Sequence, residues 1–126
     1  MNVKPATGKL GVLCVGLGAV TSTFMTGVLM ARKGLAKPVG SMTQYDKMRV
    51  GRGENKKYLH YGEIVPLASL NDIVFGAWDV YPANAYESAV NAEVLQEKDI
   101  NPVKDELEKI VPMKAAFDHN YASRYP

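Results

Sequence analysis

The chain has 126 residues, 47% of them hydrophobic, and a formal net charge of +2. That length suits one domain with an apolar core, and the charge is too small to argue for a nucleic-acid partner. A single cysteine, Cys14, excludes an internal disulfide.

Cys14 lies between Leu13 and Val15 in an apolar run, with no neighbouring base to activate its thiol, and reads as a small buried hydrophobe. Its solitude favours a reducing compartment. Charge is unevenly placed: residues 31–60 hold eight basic and two acidic side chains, and residues 61–126 hold five and eleven. A basic middle can face phosphate groups, although a solvated surface is the commoner meaning of such a run.

Residues 1–8 read as a loose leader. Leu10 to Val15 is a short continuous apolar run ending at glycine, the pattern of a strand buried on both faces of a parallel sheet. Residues 20–33 follow as a helix, with Phe24, Met25, Val28, Leu29 and Ala31 at helical spacing and Gly34 closing it after Arg32 and Lys33. Leu10 to Ala31 contains no charge, and Lys4 and Lys9 precede it, which also fits a signal peptide or membrane anchor. Against that stand Gly16 and Gly18, the polar Thr21, Ser22, Thr23 and Thr26, and the division into a strand-like and a helix-like part.

Residues 36–69 break the alternation and look like an insertion. Gly51-Arg52-Gly53-Glu54-Asn55 is a turn cluster flanked by Met48-Arg49-Val50 and Tyr58-Leu59-His60-Tyr61, so a hairpin is expected. Ile73 to Trp78 is a second buried-strand run ending in Asp79. Pro82 and Asn84 introduce a helix with Tyr86, Ala89, Val90 and Val94 on one face, and Asn101-Pro102 starts another reaching roughly Lys109. Residues 111–126 are ambiguous.

The first chemical candidate is Gly16-Leu17-Gly18-Ala19-Val20-Thr21, after a strand and opening a helix. A dinucleotide pyrophosphate meets backbone N–H groups at such a helix start. Gly16 would allow the tight turn, and Gly18 a close approach of backbone to phosphate. Thr21 stands where the common fingerprint has its third glycine, so a tight turn without a ligand remains a competing reading. The second candidate is Asp79, an acid after the second strand, placed to accept hydrogen bonds from an adenosine ribose diol. It lies 63 residues beyond Gly16, against a usual spacing of about 20, and the insertion accounts for most of the excess. Alone, Asp79 would read as a cap before Pro82. His60 reads as structural, Trp78 as core in preference to a lining of the adenine pocket, and the neighbours Asp118 and His119 do not make a triad. No cluster has metal-ligand spacing.

Four runs follow in order: Leu10-Gly11-Val12 with Gly16-Leu17-Gly18; Gly40-Ser41-Met42-Thr43-Gln44; Asn71-Asp72-Ile73-Val74; and Trp78-Asp79-Val80. In this the chain resembles the start of the myo-inositol-1-phosphate synthase family (also called inositol-3-phosphate synthase), over most of residues 10–112. The resemblance implies a Rossmann domain beside a separate α+β catalytic and tetramerisation region, with NAD as cofactor. It implies conversion of glucose 6-phosphate to an inositol monophosphate by oxidation at C5, enolisation, aldol closure of C6 onto C1, and reduction. It also implies a cytoplasmic homotetramer without membrane or nucleic-acid partners. The family's cofactor contacts fall on Gly18, Ala19, Val20, Thr21 and Asp79, within the loop that Gly16 opens. The family loop has a further glycine and two asparagines where this chain has Ala19, Val20 and Thr21, which spares backbone contacts but not side-chain ones. The family's catalytic lysines lie downstream of Pro126, so no catalytic residue is expected within the chain.

The expectation is therefore an α/β, Rossmann-like NAD-binding domain, incomplete, with a hairpin-containing insertion after the first helix. The alternatives are another NAD(P)-dependent oxidoreductase and a non-enzymatic, membrane-anchored or secreted interaction protein.

Overall fold

The computed structural model describes residues 3–5 and 7–116. Asp118 and His119 lie outside them. Strand β1 (Leu10–Val15) forms where the apolar run predicts it. Helix α1 (Ala19–Arg32) begins and ends one residue earlier than its periodicity suggests.

The insertion contains a short helix α2 (Met42–Tyr45), then β2 (Lys47–Val50), β3 (Lys57–His60) and a single turn α3 (Tyr61–Ile64). Strands β2 and β3 pair antiparallel, with Lys47 opposite His60 and Val50 opposite Lys57, as the turn cluster predicts. Helix α2 was not legible in the Gly-Ser-Met-Thr-Gln run, because nothing in four polar and apolar residues distinguishes one helical turn from a loop.

The chain returns to the main sheet in β4 (Ile73–Asp79). Asn84 then caps α4 (Ala85–Asn91), its side chain accepting from the Glu87 N–H while Glu87 reaches back to the Asn84 N–H, both at 2.9 Å. Helix α4 stops three residues before Val94, so Val94 does not share its buried face; Val94 and Val90 are 58% and 45% exposed. Next come α5 (Glu97–Ile100), a 3₁₀ turn Asn101–Val103, and α6 (Lys104–Glu108). Asn101-Pro102 thus continues from a preceding turn rather than opening a helix from a loop. Strand β5 (Met113–Lys114) is a third, short strand in the stretch that periodicity left ambiguous.

The main sheet has the order β1-β4-β5, and both pairings are parallel. Read from β5 this is 3-2-1, half of the doubly wound dinucleotide-binding order. Val12 lies opposite Phe75 and Cys14 opposite Ala77. Cys14, Phe75 and Ala77 join the core with Met25 and Leu29 of α1, Ala85 and Ala89 of α4, and Ile100, Val103 and Leu107 beyond. Cys14 itself is half-buried.

The opposite face of the sheet is not covered by the described residues. Leu13, Val15 and Val74 are 60%, 90% and 53% exposed, and Trp78 on the same face is half-buried. Burial of both strands on both faces, and of Trp78 in the core, is therefore not seen. The stripe that α1 buries is Ser22, Met25, Thr26, Val28 and Leu29, whereas Phe24 is 44% exposed and packs edge to face on Phe75 at 5.6 Å. Two small hydroxyl residues fit the close helix–core contact because each returns a hydrogen bond to the helix itself: Ser22 Oγ to the Ala19 carbonyl at 3.3 Å and Thr26 Oγ1 to the Ser22 carbonyl at 2.8 Å.

Candidate dinucleotide site

The site begins with the turn out of β1. Gly16 donates its N–H to the Trp78 carbonyl at 2.7 Å, the last backbone rung between β1 and β4. Its φ of +93° then swings the chain out of the strand, a conformation that favours glycine. Leu17, between the two glycines, buries its side chain to 3% exposure and anchors the loop in the core. Sequence reasoning passed over Leu17, although an apolar residue between two glycines is the signal that could have marked it.

Gly18 is the N-cap of α1, and its carbonyl accepts from the Ser22 N–H at 3.0 Å. Having no side chain, it cannot cap the helix, and the first turn carries no acidic residue. The first N–H groups of α1 therefore point outward without a side-chain acceptor, the arrangement that suits an anion. A Cβ built on Gly18 would meet nothing within 4 Å, so the space in front of its backbone is open.

Asp79 ends β4 beside this loop. Its Oδ2 accepts the Leu17 N–H at 2.5 Å and its Oδ1 accepts the Tyr81 N–H at 2.9 Å. The Tyr81 N–H holds the carboxyl below the ordinary aspartate range, burial opposes it, and the Leu17 and Val80 N–H groups add to the lowering. A carboxylate offers about four lone-pair directions, so Asp79 can accept further donors beyond the Leu17 and Tyr81 N–H groups.

Leu17, Gly18, Ala19, Asp79, Tyr81 and Ser88 line an open cleft of 280 Å³. Of the six residues read from sequence, Gly18, Ala19 and Asp79 meet in this cleft, and Gly16 shapes the turn behind it. Val20 and Thr21 do not line it. Val20 is 85% exposed on a neighbouring apolar shelf with Phe24 and Val94, and Thr21 is half-buried in the first turn of α1. The basic middle of the chain does not line it either: Lys47, Arg49, Arg52, Lys56 and Lys57 are exposed on and around the hairpin. Among the described residues, no group of three or more His, Cys, Asp or Glu could hold a metal ion, and no helix is long and apolar enough to cross a membrane.

A glycine turn at an uncapped helix start, with an acid ending the adjacent parallel strand, fits a dinucleotide. Comparison with known proteins narrows this. Residues 10–125 match the family model of an NAD-binding region described as myo-inositol-1-phosphate synthase. The chain belongs to the myo-inositol-1-phosphate synthase family. It is 61% identical to inositol-3-phosphate synthase 1 of Bacteroides thetaiotaomicron over 98% of its own length and 28% of the relative's. It is 32% identical to isozyme 1 of Arabidopsis thaliana, over 90% of this chain and 24% of the relative. Its fold matches the crystal structure of inositol-3-phosphate synthase from Caenorhabditis elegans with a TM-score of 0.78 at 27% identity, covering 92% of this chain and 25% of that one.

The synthase-family chain thus spans about a quarter of the length of the relatives it matches. The Rossmann-like α/β expectation holds, and NAD is the cofactor that the family assignment carries.

Proposed function

We propose that this chain forms the first half of the dinucleotide-binding domain, with residues 36–69 inserted, of an inositol-3-phosphate synthase that acts on glucose 6-phosphate. The observation that carries the reading is the convergence of Asp79 with the Gly16–Gly18 turn at the uncapped start of α1.

In this reading Gly16 sets the turn and Gly18 leaves room for the pyrophosphate. The backbone N–H groups of Ala19, Val20 and Thr21 receive its charge. Val20 and Thr21 then act through backbone alone, in keeping with side chains that stay out of the cleft. The Asp79 carboxylate receives the hydroxyls of the adenosine ribose, and its charge repels a 2′-phosphate, which favours NAD over NADP. Bound NAD supplies a reversible hydride acceptor for the sugar. The chain's own residues bind and orient. Lys33, at the opposite end of α1 from the cleft, pairs with Glu106 at 2.7 Å.

The parent enzyme is read as a cytoplasmic homotetramer without nucleic-acid or membrane partners. Enolisation and aldol closure need positioned acids and bases, each typically worth on the order of 10²–10⁴-fold, so residues 1–126 alone should form no inositol phosphate from NAD and glucose 6-phosphate. Turnover by the purified chain would overturn that placement. For the site itself, calorimetry on the Asp79→Ala variant should show weakened NAD binding. Unchanged affinity would overturn the assignment of Asp79.

A further inference from the structure

Asp79 does more than face the cleft. The backbone ladder between β1 and β4 ends at the Gly16 N–H, which donates to the Trp78 carbonyl at 2.7 Å. In a continued strand the next N–H, that of Leu17, would point away from β4, because successive peptide groups alternate sides; the positive φ of Gly16 turns the chain so that it faces the end of β4 instead. The Asp79 side chain takes it there, at 2.5 Å. The same carboxylate accepts the Tyr81 N–H at 2.9 Å, closing the turn that leaves β4. One side chain therefore ties together the two segments that leave the ends of adjacent parallel strands.

We propose that Asp79 is a positioning residue for the glycine loop as well as a contact for the ribose: its carboxylate clamps the Leu17 N–H and so holds Gly18 and the first N–H groups of α1 in the geometry that receives a pyrophosphate. The proposal deepens the NAD-binding reading and rests on it. The geometry supports it from both sides. Leu17 is pinned by its buried side chain on one side and by the carboxylate on the other, so the loop between β1 and α1 is set before any ligand arrives. A hydrogen bond to a charged acceptor is among the stronger ones a backbone N–H makes. Preorganisation of this kind raises affinity by reducing the ordering that binding would otherwise require.

A diol contact and a loop clamp predict different ligand dependence. The probes are ADP, which carries both the pyrophosphate and the ribose diol, and 2′,3′-dideoxy-ADP, which keeps the adenine and the pyrophosphate but lacks both ribose hydroxyls. They are titrated into the 126-residue chain, its Asp79→Ala variant and its Asp79→Asn variant. If Asp79 acts only through the diol, the substitutions weaken ADP and leave the dideoxy compound unchanged. If it also clamps the loop, Asp79→Ala weakens dideoxy-ADP by about tenfold. Asp79→Asn, whose amide oxygen can still accept one N–H, recovers part of that loss.

A second readout needs no ligand. In amide NMR spectra of the wild-type chain the Leu17 N–H should resonate downfield of its loop neighbours and exchange slowly. In Asp79→Ala it should shift upfield and exchange at least about tenfold faster, while the amides of Val12 and Phe75 within the sheet stay unchanged. A Leu17 N–H that keeps its shift and protection in both variants overturns the clamp, as does unchanged dideoxy-ADP affinity. Failure of the wild-type chain to bind either nucleotide would instead count against the NAD-binding reading, and the amide readout would still decide the clamp.

Discussion

Gly16 and Gly18 flank one residue, yet the structure asks opposite things of them, and paired substitutions separate the two demands. Gly16 has φ +93°, and a Cβ placed on it would touch nothing within 4 Å. The penalty of Gly16→Ala is therefore purely a backbone one, about 1–2 kcal/mol for an L-residue in the left-handed region. For a domain of this size each kcal/mol lowers the melting temperature by roughly 4–8 °C. Gly18 has φ −90° and ψ −159°, extended values open to any residue, and its surroundings are equally empty. Gly18→Val thus costs the fold no more than the loss of glycine at an N-cap, up to about 1 kcal/mol, and the helical content of α1 should survive. Its isopropyl group, however, projects into the space that a pyrophosphate would need. The expected result is a Gly16→Ala chain that melts earlier and a Gly18→Val chain that stays folded but loses NAD affinity by more than about tenfold, close to the 1.4 kcal/mol per decade of binding. Melting followed by far-UV circular dichroism and NAD titration by calorimetry read the two quantities separately. A folded Gly18→Val chain that binds NAD as the wild type does would refute the close-approach argument, and an undiminished melting temperature for Gly16→Ala would refute the strained turn.

Three further outcomes are expected. The Asp79 carboxyl sits below the ordinary aspartate range, chiefly through the Tyr81 N–H, so its contribution to stability is fully present above that range and is lost as pH falls through the folded value; the urea midpoint of the wild type should fall more steeply than that of Asp79→Asn below about pH 4, and parallel curves would contradict the assignment. Arg32 donates from Nε to the Leu70 carbonyl at 2.6 Å and from Nη2 to the Ile73 carbonyl, and lies over the Phe75 ring at 5.6 Å; Arg32→Met keeps the apolar stem but orphans two carbonyls, and should lower stability by about 1.5–3 kcal/mol, an effect that an unchanged urea midpoint would rule out. Lys33 joins the end of α1 to Glu106 of α6 at 2.7 Å with both side chains more than a third exposed; Lys33→Met should cost about 1 kcal/mol or less and let the Glu106 carboxyl rise from its lowered value, which carboxylate NMR titration would detect.

Much of the frame was legible because it depends on local pattern. Two uninterrupted apolar runs became β1 and β4, the glycine-rich turn became the hairpin, and the helix that Pro82 and Asn84 introduce became α4. Glycines after one strand and an acid after the other marked residues that the pairing of β1 with β4 brings together. Where tertiary contacts compete with periodicity, the reading slipped. Helix α4 ended before Val94, and β5 was invisible because its two residues are strand only by virtue of pairing with Trp78 and Asp79.

What the sequence by itself determined was the kind of the longer elements, β1, α1, the hairpin and β4, and the chemical classes of Gly16, Gly18 and Asp79. What only the tertiary structure decided was who meets whom across a gap of 63 positions. Spacing alone left Asp79 free to be a turn cap; parallel pairing of β1 with β4 in a fixed register brings it to the Leu17 N–H. The same pairing decides which face of an all-apolar strand is buried, leaving Leu13 and Val15 exposed while Cys14 turns toward the helices. Side chains of a strand alternate between its two sides, so a run apolar at every position carries no mark of which side a helix will cover, and only the helices packed against the sheet supply it.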